Sequence, residues 1–272
     1  LALTLLRRDT RSGELTLLML ALLIAVTSSA TITLFSDRLQ RTMQMQAGQF
    51  MAGDLVISSS QALDSTVLQR VTDDLRQSQT LEFTSMLLEN QQSLLVAAKA
   101  VSDAYPLRGH LKISDQQGQE QVAEQGPPPG EIRLERKVLT ALHLQLGERL
   151  ILGEQSFVVT KLLLYEPDKS GDFYSFLPRV MFNQADLAAT QVIQPGSRVN
   201  YAYQFSGDEQ RLLAFKNSIQ ARLLPGQKIL DIYQDRPELG SAFRRAERYL
   251  GLSSVLVILI AGVAIAMAAG RY

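Results

Sequence analysis

From Tyr249 to Gly270 the chain reads YLGLSSVLVILIAGVAIAMAAG, without one Asp, Glu, Lys or Arg. No other feature limits the fold as much. A helix needs roughly 20 apolar residues to cross a hydrocarbon core about 30 Å thick, and Leu250–Ala269 has that length. It holds ten Leu, Ile and Val residues. At roughly −0.3 to −0.6 kcal/mol each, these favour insertion by about 3–6 kcal/mol before polar terms. A second charge-free run, Leu15–Phe35, has the same length and character. The pattern predicts membrane-spanning helices at 15–35 and 250–270, with a polar domain over 36–249 between them.

The first run must be separated from a signal peptide. Arg7, Arg8 and Arg11 precede it, and Ser28-Ser29-Ala30 has the small side chains of a cleavage site. The apolar run nevertheless continues through Ile32, Leu34 and Phe35 and passes unbroken into a helical pattern, so we read a retained span. The stretch RRDTRSG lacks the hydrophobic residues expected after a twin-arginine pair. Arginines flank both spans on both sides, so the positive-inside rule sets no orientation. Two spans do put the chain's two ends on one side and the middle domain on the other. Residues 1–14, with Leu1, Leu5 and Arg8 on one helical face, suit either a short amphipathic segment at the membrane surface or the first turns of the span.

Both spans run into narrow apolar stripes. Leu39, Met43, Ala47 and Phe50 follow the first, and Leu239, Phe243, Ala246 and Leu250 lead into the second. Spacings of three and four mark a helix–helix seam. They predict a two-helix stalk, 36–50 and 237–249, continuous with the spans. Within the spans, Ala21, Ala25, Ser29 and Thr33, and likewise Gly262, Ala266 and Gly270, recur every four residues. Small residues at that spacing let helix backbones approach closely.

The middle domain alternates in type. Strands are expected at 53–59, 80–90, 93–101, 178–182, 197–207 and 228–234, with a hairpin over 148–167 turning at Gly153-Glu154. Helices are expected at 63–77 from an Asp64 cap, at 131–147 closed by Gly147, briefly at 183–190, and from an Asp208 cap to Pro225-Gly226. GPPPG at 126–130 is a breaker. This order predicts an α+β domain with a split βαβ core and a smaller β-rich insert near 105–165.

Chemistry-bearing motifs are few. Net charge is zero, so bulk electrostatics point to no nucleic-acid partner. With no cysteine and only His110 and His143, a zinc site is not expected, and no redox compartment can be read. No nucleophile elbow, Walker loop, HExxH or CxxC occurs. EPDKSGD at 166–172 gathers three carboxylates but lacks the order of a calcium loop, and reads as a solvated loop. Asp73-Asp74 reads as an exposed polar face, and His143 as a partly buried packing residue. No catalytic, cofactor-binding or metal-binding residue is assigned, and the chain is not expected to be an enzyme.

Span, stalk, α+β domain, stalk and span form a distinctive order. MAGDLVI (51–57), LGERLILGEQSFVVTKLLLYEPD (146–168), LPRVMFNQADLAATQVIQPGSRVNYAYQFSG (177–207) and residues 236–272 carry a resemblance that runs nearly end to end. The chain resembles the extracytoplasmic half-unit of bacterial ABC transporter permeases of the MacB, FtsX and LolC/LolE kind, and in detail the YbbP-like branch. The resemblance implies the N-terminal portion of a longer, multi-pass inner-membrane permease, with a periplasmic domain and a cytoplasmic segment at 1–14 and again from 271. It implies no cofactor in this chain, since ATP would bind a cytoplasmic ABC ATPase subunit. Further implied partners are the lipid bilayer, a second permease in a dimer, and a periplasmic protein of the lipase or thioesterase type. A lipid or hydrophobic cargo fits that branch. Two other classes stay open from the residues: the external region of a two-span sensor, and an anchored extracytoplasmic enzyme.

Overall fold

The structure, a computed structural model, describes residues 48–71, 74–89, 91–169 and 176–230, together with helical residues at 23, 26–27, 30–31, 34–35 and 38 and at 245, 248–249, 251–252, 255–256, 259 and 262–263. The chain divides into two units, Met45–Asp231 and the pair of end segments Leu1–Gln44 and Ile232–Tyr272. The expected spans and stalks fall largely outside the described residues. Among the described residues no helix is long and apolar enough to cross a membrane.

The middle unit is built on one sheet of 11 strands among the described residues. Its first part is the expected split βαβ core. Strand β1 (Leu55–Ser59) pairs antiparallel with β10 (Val199–Ser206), which pairs antiparallel with β2 (Arg76–Glu89). β1 and β2 are therefore parallel, with β10 inserted between them. In the same way β10 and the short β11 (Gln227–Ile229) are parallel, with β1 between them. A helix, Glu209–Gln220, connects β10 to β11. The Asp208 carboxylate accepts from the Gln210 N–H and caps it as expected. Phe215 and Ile219 on that helix meet Leu55, Ile57, Tyr203 and Phe205 of the sheet, with the Phe205 and Phe215 rings 4.8 Å apart.

The helix expected over 63–77 is much shorter. Asp64 does cap it, but it spans only Ser65–Leu68. Beyond it the N–H groups of Arg70 and Val71 bond three residues back, to Val67 and Leu68, the tightening that ends a helix. Residues from Arg76 onward then join β10 in continuous register, Arg76 with Ser206 and Phe83 with Val199. Pairing with the sheet overrides the helical periodicity. Val67, Leu68, Val71 and Leu75 all face the core, as a helix would have placed them.

β2 is followed by β3 (Gln92–Val101), its antiparallel partner, with Glu89 opposite Gln92. β3 lies parallel to β9 (Arg179–Asn183). The β-rich region 105–165 continues the same sheet. It supplies β4 (Leu111–Ser114), β5 (Glu120–Ala123), β6 (Glu131–Leu134), β7 (Arg149–Leu152) and β8 (Gln155–Tyr165), in the order β9-β6-β8-β4-β5, with β7 also on β8. The helix expected over 131–147 is thus corrected. Its first four residues are β6, seated between β8 and β9. The helix proper is Arg136–Leu142, closed by His143 in the left-handed conformation rather than by Gly147. His143 is accordingly exposed, not partly buried.

Val138 and Leu142 of that helix pack on Phe83, Ala98, Phe157 and Phe182. The Phe182 ring stands 5.4 Å from Phe157 and 6.4 Å from Phe83, edge to face. The turn between β7 and β8 requires glycine. Gly153 has φ +63°, and a Cβ there would lie 1.9 Å from the Thr190 carbonyl oxygen.

Candidate functional site

Side chains alternate across a strand, so β2, β3 and β9 present two faces. On one face sit Glu82, Lys99 and Arg179. Polar residues alternating with apolar ones ordinarily mark the wet side of a sheet. Here that side is covered. Tyr105, Leu111, Ile113, Leu163 and Met181 form an apolar cluster over it, and Lys99 and Arg179 are 0% and 1% exposed.

The charges meet one another. Lys99 Nζ donates to Glu166 Oε2 at 2.9 Å, to Asp168 Oδ1 at 2.6 Å and to the Tyr105 hydroxyl at 3.1 Å, and lies 3.3 Å from Glu82 Oε1. Arg179 Nε donates to Glu166 Oε1 at 2.6 Å, and Arg179 Nη2 lies 3.5 Å from Glu82 Oε1. The Tyr105 hydroxyl donates to Asp168 Oδ1 at 2.5 Å.

These contacts set the protonation states. Burial pushes the Glu166 carboxyl up, but Lys99 and Arg179 outweigh it and hold it down at about 2. Burial pushes Lys99 down, yet the Asp168 and Glu166 carboxylates keep it charged, well above the usual lysine range. Burial, with the Asp168 charge, keeps the Tyr105 phenol protonated, and so a donor. A lysine held charged and sealed from water is no nucleophile. The cluster is suited to fixing chain segments in place.

The segment it fixes is 166–168, the start of EPDKSGD. The expectation of a solvated loop is corrected here: Glu166 is 2% exposed and Pro167 is buried, because both carboxylates turn inward to Lys99 and Arg179. Asp172 lies outside the described residues. Lys169, next in line, pairs with Glu135. Asp74 is exposed and paired with Arg211, in line with a polar face, while Asp73 lies outside the described residues. His110 is exposed, with its ring 6.3 Å from that of Tyr165.

Through Pro167 and Tyr105 the cluster reaches the point where the chain enters the domain. A Cβ on Gly109 would lie 3.0 Å from both the Gln49 carbonyl oxygen and the Pro167 ring. The N–H groups of Leu107 and Arg108 both donate to the Ala52 carbonyl, at 3.0 and 3.2 Å. Arg108 grips Asp54 with two nitrogens, at 2.8 to 3.0 Å. Residues 49–54, 105–109 and 166–168 therefore form one junction, backed by the buried charges. The chain also leaves beside it: the Leu230 N–H donates to the Val56 carbonyl at 2.9 Å.

Sequence reasoning missed Glu82, Lys99 and Arg179. Each reads there as an ordinary exposed charge in a strand, and the acidic run at 166–172 was the one available signal.

No family model matches the chain. Over 266 residues, 97% of its length, the chain is 30% identical to an ABC transporter permease of Escherichia coli K12, YbbP. That stretch is 32% of YbbP, so the chain spans about a third of this relative's length. Among solved structures it is similar to the periplasmic region of MacB from Actinobacillus actinomycetemcomitans, with TM-score 0.45 and 10% identity over 74% of this chain and 95% of that one. It is also similar to the extracellular domain of the ABC-type transporter YknZ from Gram-positive bacteria, with TM-score 0.42 and 9% identity over 65% of this chain and 99% of that one. Along nearly its whole length, the chain resembles a YbbP-type ABC transporter permease, as residues 51–57, 146–168, 177–207 and 236–272 led us to expect.

Proposed function

We propose that the chain is a portion of a permease subunit of an ABC transporter, anchored in the bacterial inner membrane by spans at 15–35 and 250–270, with residues 36–249 in the periplasm. The observation that carries this reading is the identity to YbbP over 97% of the chain. Two physical observations support it. The charge-free runs are long enough to span a bilayer, and their described helical residues expose Leu23, Val26, Leu34, Phe35, Leu252, Leu256 and Leu259. Within the domain, the chain enters at Asp54 and departs at Leu230 beside the same strand, β1.

In this reading a cytoplasmic ATPase subunit binds ATP and draws two permeases together as a dimer. The stalks at 36–50 and 237–249 carry the motion to the domain through the junction at 49–54. The cargo is lipid or another hydrophobic molecule, and a periplasmic lipase or thioesterase-type protein acts with the permease.

The chain has no cysteine, so Arg108→Cys in the full-length protein, with any cysteine outside residues 1–272 replaced, tests its placement. A membrane-impermeant maleimide should label it from outside intact spheroplasts; labelling only after lysis contradicts the reading. The full-length protein should also co-purify with an ATPase, and prolines at Ala47 and Ala246 should uncouple ATP hydrolysis from transport, because proline breaks a helix interior by about 3 kcal/mol or more. Unchanged coupling removes the stalks from the mechanism. A charged helical linker after the second span, with no ATPase bound, favours the sensor class instead.

A further inference from the structure

The buried cluster does not balance. Three carboxylates, Glu82, Glu166 and Asp168, face two cations, Lys99 and Arg179. With every group ionised, the cluster would carry one net negative charge, and an uncompensated buried charge costs several kcal/mol; another buried cation, Arg133 on β6, donates instead to the Gln125 and Gly126 carbonyls. The carboxylates do not share the cations equally. Glu166 and Asp168 each take two contacts of 2.5–2.9 Å. Glu82 has only the longer approaches, 3.3 Å to Lys99 and 3.5 Å to Arg179, both at one oxygen. It gains least from ionising, and 11% of its side chain reaches solvent, which gives a proton a way in and out.

We propose that Glu82 is a proton-binding site: it carries the proton that makes the cluster neutral, and on losing it competes with Glu166 and Asp168 for Lys99 and Arg179, loosening segment 166–168 and the junction at 49–54. The groups facing it from each neighbouring element are Lys99 on β3, Arg179 on β9, and Glu166 and Asp168 past the end of β8, with Tyr105 behind them on Lys99 and Asp168. Asn200 on β10 stands directly opposite and does not titrate. Burial raises the Glu82 carboxyl above the usual range more than Lys99 and Arg179 lower it. The direction of the linkage follows. A proton held in the folded state above the unfolded value of 4.5 stabilises fully below that pH, and the contribution is lost as pH rises through the folded value.

Glu82 and its partners all lie within the one domain, so the proton can be followed without transport. Infrared difference spectra of the full chain in detergent, wild type against Glu82→Gln, test it first. A protonated-acid C=O band should be present at neutral pH, disappear on alkalisation, and be missing from the variant. Glutamine mimics the neutral acid, and the wild-type band alone is decisive should the variant not fold: without a band at neutral pH the proposal fails. Amide exchange at Leu107 and Arg108, corrected for intrinsic pH dependence, then reads the junction. Protection in the wild type should fall about ten-fold or more over the pH range in which the band is lost, and stay level in the variant. Equal protection profiles for the two proteins would overturn the loosening.

Discussion

The two faces of β2, β3 and β9 are both buried, yet they are held by different physics. On one, Leu81, Phe83, Ala98, Ala100, Val180 and Phe182 join a continuous apolar core. On the other, Glu82, Lys99 and Arg179 meet Glu166 and Asp168. The apolar face gains from area removed from water, about 1.5–3 kcal/mol for a fully buried large side chain, and has no preferred direction. The ionic face gains little in total, because desolvation cancels most of its Coulomb attraction. What it has is direction. Lys99 accepts only a few positions for segment 166–168, whereas a leucine in its place would accept many. The first face holds the sheet together, and the second fixes which loop lies on it.

The strongest way to break this contrast is to remove one member from each face. Phe182→Ala should cost about 3–5 kcal/mol by leaving a cavity. Lys99→Met should cost about as much, 3–5 kcal/mol, by leaving buried carboxylates without their partner. The two costs should part with pH in urea denaturation. The Phe182→Ala cost should be the same at pH 7 and pH 3, while that of Lys99→Met should shrink at pH 3, where the freed carboxylates take up protons. A Lys99→Met cost that does not change with pH would mean the second face is only packing.

A smaller effect belongs to the wild type alone. Glu166 is held at about 2 against an ordinary value of 4.5. A depressed carboxyl stabilises the fold above its unfolded value, and the contribution is lost as pH falls through the folded one. At 1.36 kcal/mol per unit, about 3 kcal/mol should disappear between pH 4.5 and 2. Glu166→Gln should lose this acid slope. An unchanged slope would place acid sensitivity elsewhere in the domain.

The contrast also explains what could be read in advance. The strands that carry the apolar face were legible, because the apolar runs at 80–90 and 93–101, broken by a polar turn, mark a hairpin pair whatever its surroundings. The split βαβ order followed from strand and helix order, and Asp64 and Asp208 mark real caps. The ionic face was not legible. Alternation says which residues share a face, and nothing about whether a distant segment covers it. Lys99 meets partners 67 and 69 residues away, and no local pattern encodes that distance. The same limit produced the helix errors. Arg76–Gln77 and Glu131–Leu134 continue helical patterns on paper, and only their places beside β10, β8 and β9 make them strands.

The smallest effect asks whether the ionic face reaches the junction. Gly109 has φ +75° and sits between the Gln49 carbonyl and Pro167. Gly109→Ala meets two penalties, a left-handed backbone and contacts of 3.0 Å to groups on either side, for a total of about 1–3 kcal/mol. The backbone penalty is local and fixed. The contact penalty depends on how firmly Pro167 is held, and the residues on its two sides are the ones Lys99 binds. In a Lys99→Met background Pro167 should yield, so Gly109→Ala should cost less there, with a coupling of about 0.5–1 kcal/mol. In a Phe182→Ala background the same substitution should be additive, because the apolar face does not touch that loop. Coupling to Lys99 without coupling to Phe182 would show that the charges, and not the core at large, hold the loop against the segment through which the chain enters the domain. Additivity in both backgrounds would leave the junction standing on its own hydrogen bonds, from Leu107 and Arg108 to Ala52.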